Sequence, residues 1–449
     1  MAISYVTISK SRSIGCINEI GNRQKADNIT GLLGETSLEK YFKNSVSTLN
    51  KGFLIHIGID GFKMINENYG WDYGDYILRE TASCILSCIS DSQKVYKIAS
   101  DEFIILDTTS SDMTTASKLY DHICKHINQF IEENNFTAVF TISAGILPLP
   151  DLSRTGYEEI IKRTDFSLTM AKQHGRNCCY IFREEEYQNF LRIREITNEL
   201  HSAVNHDFRG FSIFFQPIID IRQDKLTGAE VLIRFASKKF GPISPAEFIP
   251  LLETSGLIIP TGRWFMREAI TACRKIRMQI PDFKVNINVS QVQITKSDVI
   301  TDLISEMNAS GLPPAAIAIE LTESILLEKN EKAQNFLKEL KQAGLQLALD
   351  DFGTGYSNFH YLSELHPDIV KIDRGFTSKA ITDKKKYYLL NQFSNMIHNL
   401  GLKLCIEGIE TEDELQKMKL LKPDYCQGFY WGQPCSYDEF RKYFVDVKR

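Results

Sequence analysis

The chain of 449 residues is long enough for more than one hydrophobic core, so we expect two domains. Its composition, 43% hydrophobic and 24% charged, is typical of a globular protein, and its net charge of −5 gives no basic excess that would favour a nucleic acid polymer or a membrane as partner. No apolar run reaches the ~20 residues that span a bilayer, and the N-terminus lacks a signal-peptide pattern. We therefore expect a cytoplasmic protein with ten reduced cysteines, none of them in a CxxC pair.

The first half of the chain alternates strand and helix patterns. The strand "GFLIHIGI" precedes the helical pattern "DYILRETASCILSCI", and a tight turn at Ser100–Asp101 joins the strands "VYKIAS" and "EFIILDT" into a hairpin. A long helix, a strand ("FTAVFTISAGILPL"), a second helix and a last strand ("CCYIF") follow. The order β-α-β-β-α-β of the first six elements predicts a ferredoxin-like or cyclase-like α+β sheet over residues 52–182.

A charged stretch, "REEEYQNFLRIREITNELHSAV", separates the two halves of the chain. Its residues favour a helix and include no Gly or Pro. We interpret it as a helical linker or as the first helix of the next domain. A solvated surface helix without a role in signalling is an equally good interpretation.

The second half repeats short apolar runs, each far enough from the next for a helix. The eight candidate strands are "SIFFQPIID", "GAEVLIRF", "KVNINVS", "AIAIELTES", "LQLALDD", "IVKID", "KLCIEGIE" and "YCQGFYW". This number and spacing predict a (β/α)8 barrel. Only "IRQDKLT" separates the first two runs, which is too short for a crossover helix, so these two strands should form an antiparallel hairpin in an atypical barrel.

Acids or amides end almost every one of these eight runs. They are Glu230, Asn288, Glu320, Glu323, Asp350, Asp351, Asp373, Glu407, Glu410 and Gln427, and Lys371 stands among them. A single acid at a strand end is more often a helix cap or a surface charge than a ligand. The C-terminal ends of barrel strands meet on one rim, however, so several carboxylates there repel one another unless cations neutralise them. Oxygen ligands of this kind select hard ions such as Mg²⁺ or Mn²⁺.

The two adjacent aspartates of "LALDDFGTGYSN" raise the same question of a positive partner. We expect a pair of divalent metals with Asp350 placed to bridge them, because two metals about 3.5–4 Å apart are the usual means of hydrolysing a phosphodiester in line. Lys371 would hold the attacking water or a phosphate oxygen, and Arg234 would suit a second phosphate.

The motifs "EVLIR", "NVS", "ELTES", "DDFGTGYSN", "KID", "EGIET" and "QGF", in this order, resemble the EAL family of cyclic-di-GMP phosphodiesterases from Phe211 to the C-terminus. The resemblance implies hydrolysis of cyclic di-GMP to linear pGpG with two Mg²⁺ or Mn²⁺ ions. The metal ligands that it implies are Glu230, Asn288, Glu320, Asp350 and Asp351. The catalytic residues that it implies are Glu407 (a further ligand or the base for the water), Lys371 and Glu323, which anchors the "DFGTGYSN" loop. The substrate contacts are Arg234, Gln427, Gln216 and Glu410, the last without a defined role.

Departures from this family pattern are mild. The signature tripeptide reads Glu-Val-Leu, with Val231 where the family has Ala, and Phe235 and Asn358 replace a usual Trp and Ser. Every implied metal ligand is present, so we expect an active enzyme. Gly353 and Gly355 fit a loop that changes shape beside the metals, with a plain tight turn as the alternative.

The first half resembles the GGDEF family of diguanylate cyclases, through "DNITGLLG", "IDGFKMINENYGWDYGD", "ASDEF" and "TDFSLTMAKQHGRN". The family has two glycines where Ala99 and Ser100 stand, and its first metal aspartate falls at Gly58. An RxxD product-inhibition motif is also absent. We therefore expect no cyclase activity.

Four residues of this half match the GTP contacts of the cyclase family, namely Asn66 and Asp75 for guanine and Lys172 and Arg176 for phosphates. We hypothesise a regulatory GTP site built on them. A structural remnant that supports dimerisation is the alternative.

The expected organisation is an N-terminal lead (1–25), a degenerate GGDEF domain (26–183), a helical linker (184–206) and an EAL phosphodiesterase domain (207–449). The resemblance also implies a homodimer. Three other functions compete with this interpretation: a non-enzymatic receptor for cyclic di-GMP and GTP that signals through a partner, a bifunctional enzyme that still makes cyclic di-GMP, and an acid-lined metal barrel of the enolase type.

Overall fold

The computed structural model describes residues 26–45, 51–134, 140–149, 156–322, 331–353 and 366–446. The chain divides into two compact units, an N-terminal unit (Met1–Leu191) and a barrel unit (Arg192–Arg449). Within the described ranges, no helix is both long enough and apolar enough to cross a membrane.

The N-terminal unit is an α+β fold built on a six-stranded sheet. Its elements are β1 (Leu33–Gly34), α1 (Glu35–Ser45), β2 (Phe53–Ile59), α2 (Phe62–Tyr69), α3 (Trp71–Cys88), β3 (Gln93–Ala99), β4 (Glu102–Asp107), α4 (Met113–Glu133), β5 (Ile142–Pro148), α5 (Tyr157–Gln173), β6 (Cys179–Ile181) and the start of α6 (Glu184–Asn205). The strand order is β1-β3-β4-β2-β5-β6, with β2 antiparallel to both of its neighbours. The predicted cyclase-like sheet is confirmed, and β1, α1 and α2 are additional to the prediction.

The central strand β2 is buried along its whole length because helices cover both faces of the sheet. Phe53, Ile55 and Ile57 point into a core with α3 and α4, whereas Leu54 points into a second core with α1. On β5, Gly145 lets α5 approach closely, since a Cβ atom there would lie 2.3 Å from the backbone nitrogen of Leu168.

The barrel unit contains eight barrel strands and their helices. Its elements are the rest of α6, β7 (Phe211–Asp220), β8 (Lys225–Ser237), β9 (Gly241–Ile243), α7 (Pro245–Ser255), α8 (Ile258–Arg277), β10 (Lys284–Asn288), α9 (Gln291–Lys296), α10 (Val299–Ser310), β11 (Ile317–Thr322), α11 (Glu331–Gln342), β12 (Gln346–Phe352), β13 (Ile369–Ile372), α12 (Arg374–Thr382), α13 (Lys384–Asn399), β14 (Lys403–Ile406), α14 (Glu412–Lys419), β15 (Tyr425–Gln427), β16 (Cys435–Ser436) and α15 (Tyr437–Phe440).

The barrel closes through the pairing of its first two strands. Strands β8, β10, β11, β12, β13, β14 and β15 form parallel pairs in that order, and β7 completes the circle by pairing antiparallel with both β15 and β8. The predicted atypical (β/α)8 TIM-type barrel with one antiparallel strand is therefore confirmed. Short strands β9 and β16 extend the sheet at β8 and β7.

Alternation along the strands separates the barrel's apolar core from its polar interior. Val285 and Ile287 of β10 belong to the large apolar core of the barrel unit, and Val370 and Ile372 of β13 do so as well. The intervening residues point the other way, because successive side chains of a strand alternate between its faces. This period of two places Lys371, together with the polar residues of the neighbouring strands, inside the barrel.

Candidate active site

Lys371 is the centre of a buried cluster of charges inside the barrel. It is the third residue of β13, and its side chain is 1% exposed. Four carboxylates surround its ammonium group: Nζ lies 2.7 Å from Glu320 Oε1, 2.7 Å from Glu407 Oε1, 3.1 Å from Glu230 Oε2 and 3.2 Å from Asp350 Oδ1. The sequence reasoning placed these five residues in one site, and the structure brings their side chains together.

The charges of this cluster do not balance. If all four carboxylates were ionised, the single ammonium would leave three negative charges uncompensated in a buried space. Burial and the neighbouring acids raise the pKa of Glu320 well above its usual value, and burial raises the pKa of Glu407 to about 8. The same four acids raise the pKa of Lys371, although burial opposes its charge. The cluster therefore has a strong electrostatic demand for additional positive charge.

Amide side chains hold two of the carboxylates in place. Asn288 Nδ2 donates to Glu230 Oε1 at 3.0 Å and to Glu320 Oε2 at 3.1 Å, and Gln427 Nε2 donates to Glu230 Oε2 at 2.8 Å. Gln427 Nε2 also reaches Gln216 Oε1 at 2.9 Å. Burial disfavours the charge of Glu230, but Lys371 and these donors outweigh it and keep the pKa of this carboxyl below its usual value.

Asn286 is a member of this network that the sequence reasoning missed. Its Nδ2 donates to Glu320 Oε1 at 2.8 Å, and its side chain is buried. It precedes Asn288 by two residues on β10, so the period of the strand puts both amides on the inner face. Two asparagines in alternate positions of the buried strand "KVNIN" were the signal that could have revealed it.

The sequence pattern suggested that the acids stand at strand ends, but not all of them do. Glu230 lies near the middle of β8, opposite Gln216 of β7 and next to Asn286 of β10. This strand continues to Ser237 because it pairs with β7 over ten residue pairs and then with β9.

A local irregularity gives the two adjacent aspartates different environments. The pairing of β12 with β13 shifts between Leu349 and Phe352, and Asp351 has a φ of 55°. Asp350 points inward to Lys371, whereas Asp351 is an exposed residue. Partial burial of the Asp351 carboxyl and the negative charges of Asp350 and Asp373 raise its pKa. Such a bulge re-aims one side chain of a strand.

Two predicted substrate contacts have partners outside the charge cluster. Arg234 Nη1 donates to the carbonyl of Ile233 at 2.9 Å, its guanidinium lies over the ring of Phe214, and burial lowers its pKa. Glu410 forms an ion pair with Arg374. Glu323 and the loop from Thr354 to Asn358 lie outside the described residues.

The donor set of the cluster fits divalent cations. Glu230, Glu320 and Asp350 each offer a carboxylate oxygen within 4.8 Å of the others. An ammonium group has three N–H donors, too few for the four carboxylates around it. Asp350 Oδ1 and Glu407 Oε1 are buried and accept no well-directed hydrogen bond, although both face Lys371. Hard cations are the natural partners for such oxygens.

The N-terminal unit places the predicted nucleotide contacts in two different environments. Asn66 and Asp75 line a cavity of about 640 Å³, together with Ala99 and Ser100. The described lining includes neither Lys172 nor Arg176. Lys172 Nζ lies 3.6 Å from Glu102 Oε1. Arg176 is exposed and has a φ of 62°.

Two further features of this unit were not predicted. Lys97 is buried at the same cavity, where its Nζ donates to the carbonyls of Ala99 and Ser100, and burial lowers its pKa to about 8. His56 is buried in β2 with Nε2 3.1 Å from Glu102 Oε2 and Nδ1 3.3 Å from Asp165 Oδ1.

Comparison with known proteins agrees with both folds. The family model described as "EAL domain" matches residues 197–434, more than half of the chain. The family model described as "Diguanylate cyclase, GGDEF domain" matches residues 24–178. The bifunctional diguanylate cyclase/cyclic di-GMP phosphodiesterase MucR of Pseudomonas aeruginosa is 28% identical over 416 residues, which cover 91% of this chain and 60% of MucR. The cyclic di-GMP phosphodiesterase PdeR of Escherichia coli is 27% identical over 420 residues, which cover 93% of this chain and 63% of PdeR.

A solved structure also resembles part of this chain. The structure named "PaMucR Phosphodiesterase, c-di-GMP complex" has a TM-score of 0.51 and 28% identity, and the match covers 55% of this chain and 99% of that one. The chain spans between 48% and 63% of the length of the curated relatives that it matches. It belongs to the family of proteins in which a diguanylate cyclase GGDEF domain is followed by an EAL domain.

Proposed function

We propose that the barrel unit is a cyclic-di-GMP phosphodiesterase, which hydrolyses one phosphodiester bond of cyclic di-GMP to give linear pGpG. The observation that carries the proposal is the group of four buried carboxylates around Lys371, with more negative charge than that lysine can neutralise. The EAL match and the names of the relatives MucR and PdeR support the choice of substrate.

The residues that would hold two Mg²⁺ or Mn²⁺ ions are Glu230, Asn288, Glu320, Asp350 and Asp351. Their oxygens supply the hard ligands that these ions prefer. Bound in this cluster, the ions would activate water and stabilise the negative charge that develops on the phosphate.

Within this proposal Lys371 has two tasks. Its ammonium keeps Glu230 and Glu320 close together despite their like charge, and it presents a positive group to the attacking water or to a phosphate oxygen. Glu407 is the base in this scheme: its buried Oε1, which lacks a well-directed hydrogen bond, would accept a proton from the water.

The substrate would be positioned by residues around the cluster. Arg234, half-buried over Phe214, would contact a phosphate, and Gln216 and Gln427 would contribute amide groups next to Glu230. Glu410 joins this group through the family resemblance alone, as does Glu323, which would anchor the "DFGTGYSN" loop.

For the N-terminal unit we propose a catalytically inactive cyclase fold that binds GTP and tunes the barrel. The cavity with Asn66 and Asp75 supports a site for the guanine base, and Lys172 and Arg176 would contact the phosphates after a rearrangement of their side chains. Gly58 offers no carboxylate for a metal. Ala99 and Ser100 place side chains at the turn between β3 and β4, where the cyclase family has two glycines. A homodimer and a location in the cytoplasm stay predictions.

The test of the main proposal is a hydrolysis assay with the purified full chain, cyclic di-GMP and either Mg²⁺ or Mn²⁺. We expect pGpG to form with metal and not with EDTA. Glu230→Gln should abolish the reaction, whereas Glu339→Gln, on the exposed face of α11, should leave it unchanged. Tight binding of cyclic di-GMP without any pGpG would instead support a receptor.

The regulatory proposal is tested by adding GTP to the same assay. We expect GTP to change the rate of hydrolysis and to yield no cyclic di-GMP when it is supplied alone. If GTP neither binds by calorimetry nor alters the rate, the N-terminal unit is a structural remnant. Formation of cyclic di-GMP from GTP would show a bifunctional enzyme.

A further inference from the structure

We propose that Cys88, His122 and His126 form a Zn²⁺ site on the N-terminal unit. The three side chains come from two helices, and each offers one ligand atom, the thiol Sγ or an imidazole nitrogen. These atoms all lie within 4.8 Å of one another. The site is separate in its residues and in its chemistry from the oxygen-lined cluster of the barrel.

The backbone already brings the ligands together. Cys88 is the last residue of α3, and His122 and His126 lie four residues apart in the middle of α4. Residues at this spacing share one face of a helix. The two imidazole rings stand edge to face with centroids 4.7 Å apart, so both are directed to the same side of α4.

Only small side-chain movements separate this arrangement from a coordinated ion. Zn–S bonds of about 2.3 Å and Zn–N bonds of about 2.0–2.1 Å place tetrahedral ligand atoms roughly 3.3–3.6 Å apart. His122 is exposed, while Cys88 and His126 are partly buried. The exposed ring can therefore rotate toward its partners without disturbing the core, and solvent can supply a fourth ligand.

The ligand types select the metal. One thiolate and two imidazoles form a soft to borderline set, which favours Zn²⁺ and disfavours Mg²⁺ and Mn²⁺. The carboxylate cluster of the barrel has the opposite preference because its ligands are oxygens. A bound Zn²⁺ would link the C-terminal end of α3 to the middle of α4, two helices that pack on the same core.

Cobalt provides a readout that the barrel cluster cannot give, because a Co²⁺ ion bound to a thiolate shows a sulfur-to-cobalt charge-transfer absorption. We would titrate the reduced, metal-free full chain with Co²⁺ and then displace it with Zn²⁺. The wild type should show this absorption once Co²⁺ is in excess over all sites and lose it on addition of Zn²⁺. Cys88→Ser should lack it, whereas Cys178→Ser, a partly buried cysteine elsewhere in the same unit, should retain it.

The histidines are tested by affinity. In competition with a chromophoric chelator, His122→Ala and His126→Ala should each weaken Zn²⁺ binding at this site by tenfold or more, and His201→Ala, an exposed histidine of α6, should not. Because His122 is exposed, its alanine variant should fold normally, which circular dichroism would verify. Charge-transfer absorption that survives Cys88→Ser, or wild-type Zn²⁺ affinity in both histidine variants, would overturn the proposal. Glu230→Gln should leave the cobalt absorption intact whether or not the barrel hydrolyses cyclic di-GMP.

Discussion

Lys371 Nζ lies 2.7 Å from Glu320 Oε1, and the two side chains are 1% and 0% exposed. A lysine and a glutamate so deeply buried lose nearly all contact with water, and the energetic cost is offset only if each keeps its partners. The position of Lys371 among four carboxylates makes it the main neutralising charge of the barrel interior. Its replacement is therefore the sharpest probe of the cluster.

Replacing this lysine with an apolar side chain should destabilise the barrel in the absence of metal. Lys371→Met leaves buried carboxylates without their ammonium partner, and we expect a loss of ~3–5 kcal/mol in the free energy of unfolding. Urea denaturation in EDTA measures it. Lys239→Met, which removes an exposed ion pair with Glu195, should change stability by less than ~1 kcal/mol. Equal effects of the two substitutions would contradict the arrangement.

Removing the amide of Asn286 should impair hydrolysis without removing any proposed metal ligand. Asn286→Leu keeps the approximate size of the side chain but deletes the donor to Glu320, which is then less firmly oriented. A hydrogen bond to a charged group contributes ~1.5–3 kcal/mol, so kcat/KM should fall roughly 10- to 100-fold. The control is Asn335→Leu on the exposed face of α11. Wild-type kinetics in the Asn286 variant would show that Glu320 needs no such support.

Restoring a carboxylate at position 58 should strengthen nucleotide binding by the N-terminal unit. A Cβ atom there would meet the side chains of Lys172, with Nζ at 3.1 Å, and of Leu168, with Cδ2 at 3.3 Å, so Gly58→Asp requires small shifts of both. Together with Glu102, which pairs with Gly58 across β2 and β4, the new acid would provide a second oxygen ligand for Mg²⁺. Calorimetry should detect roughly tenfold tighter binding of Mg²⁺-GTP.

The matched control for that substitution is Gly58→Asn, which adds nearly the same volume without a charge. Equal tightening by both variants would exclude a role for the carboxylate. We expect the Gly58→Asp variant to form no cyclic di-GMP, because the side chains of Ala99 and Ser100 still stand where the cyclase family has two glycines.

His56 should make the stability of the N-terminal unit depend on pH. Burial opposes its charge, but Asp165 of α5 and Glu102 of β4 raise its pKa above the ordinary value of 6.5, and Lys172 of α5 also contacts Glu102. A raised pKa in the folded state means that this stabilisation is complete below pH 6.5 and is lost as pH rises through the folded-state pKa. The contribution of His56 to stability should therefore fall as pH rises above 6.5.

The measurement is urea unfolding at each pH, followed by a hydrogen-exchange pulse that is always given at the same pH. Exchange into the β2 peptide then reports the unfolding of the N-terminal unit alone. His56→Gln should remove most of the slope between pH 6 and pH 7, below the range in which Lys97, whose pKa is lowered to about 8, begins to lose its proton. A slope of the same size in His56→Gln would assign the pH dependence to other groups.

The regular parts of both folds could be predicted because they depend on local patterns. The continuous apolar run of β2 and the alternation in "KVNIN" reflect periods that a single segment carries in itself. The antiparallel start of the barrel followed from the short connection between β7 and β8. The strand β1 was missed because two residues carry no usable period.

The candidate site could be predicted only in part, because its geometry depends on register and packing. Residue types and motifs indicated that Asp350 and Asp351 belong to the site. Alternation along a strand already separates two adjacent side chains, but that Asp350 is the one facing Lys371 depends on the register of β12 with its neighbours. Asn286 was missed because an asparagine within a strand has no meaning until its neighbours are known.

By itself, then, the sequence determined the order of the eight barrel strands and the excess of acids in the barrel, because these depend on residue type and on spacing along the chain. Only the tertiary structure decided that one ammonium, Lys371, faces four carboxylates from four other strands or strand ends, and that Cys88 meets two histidines of another helix. Such meetings depend on strand register and helix packing, which act between residues far apart in the chain.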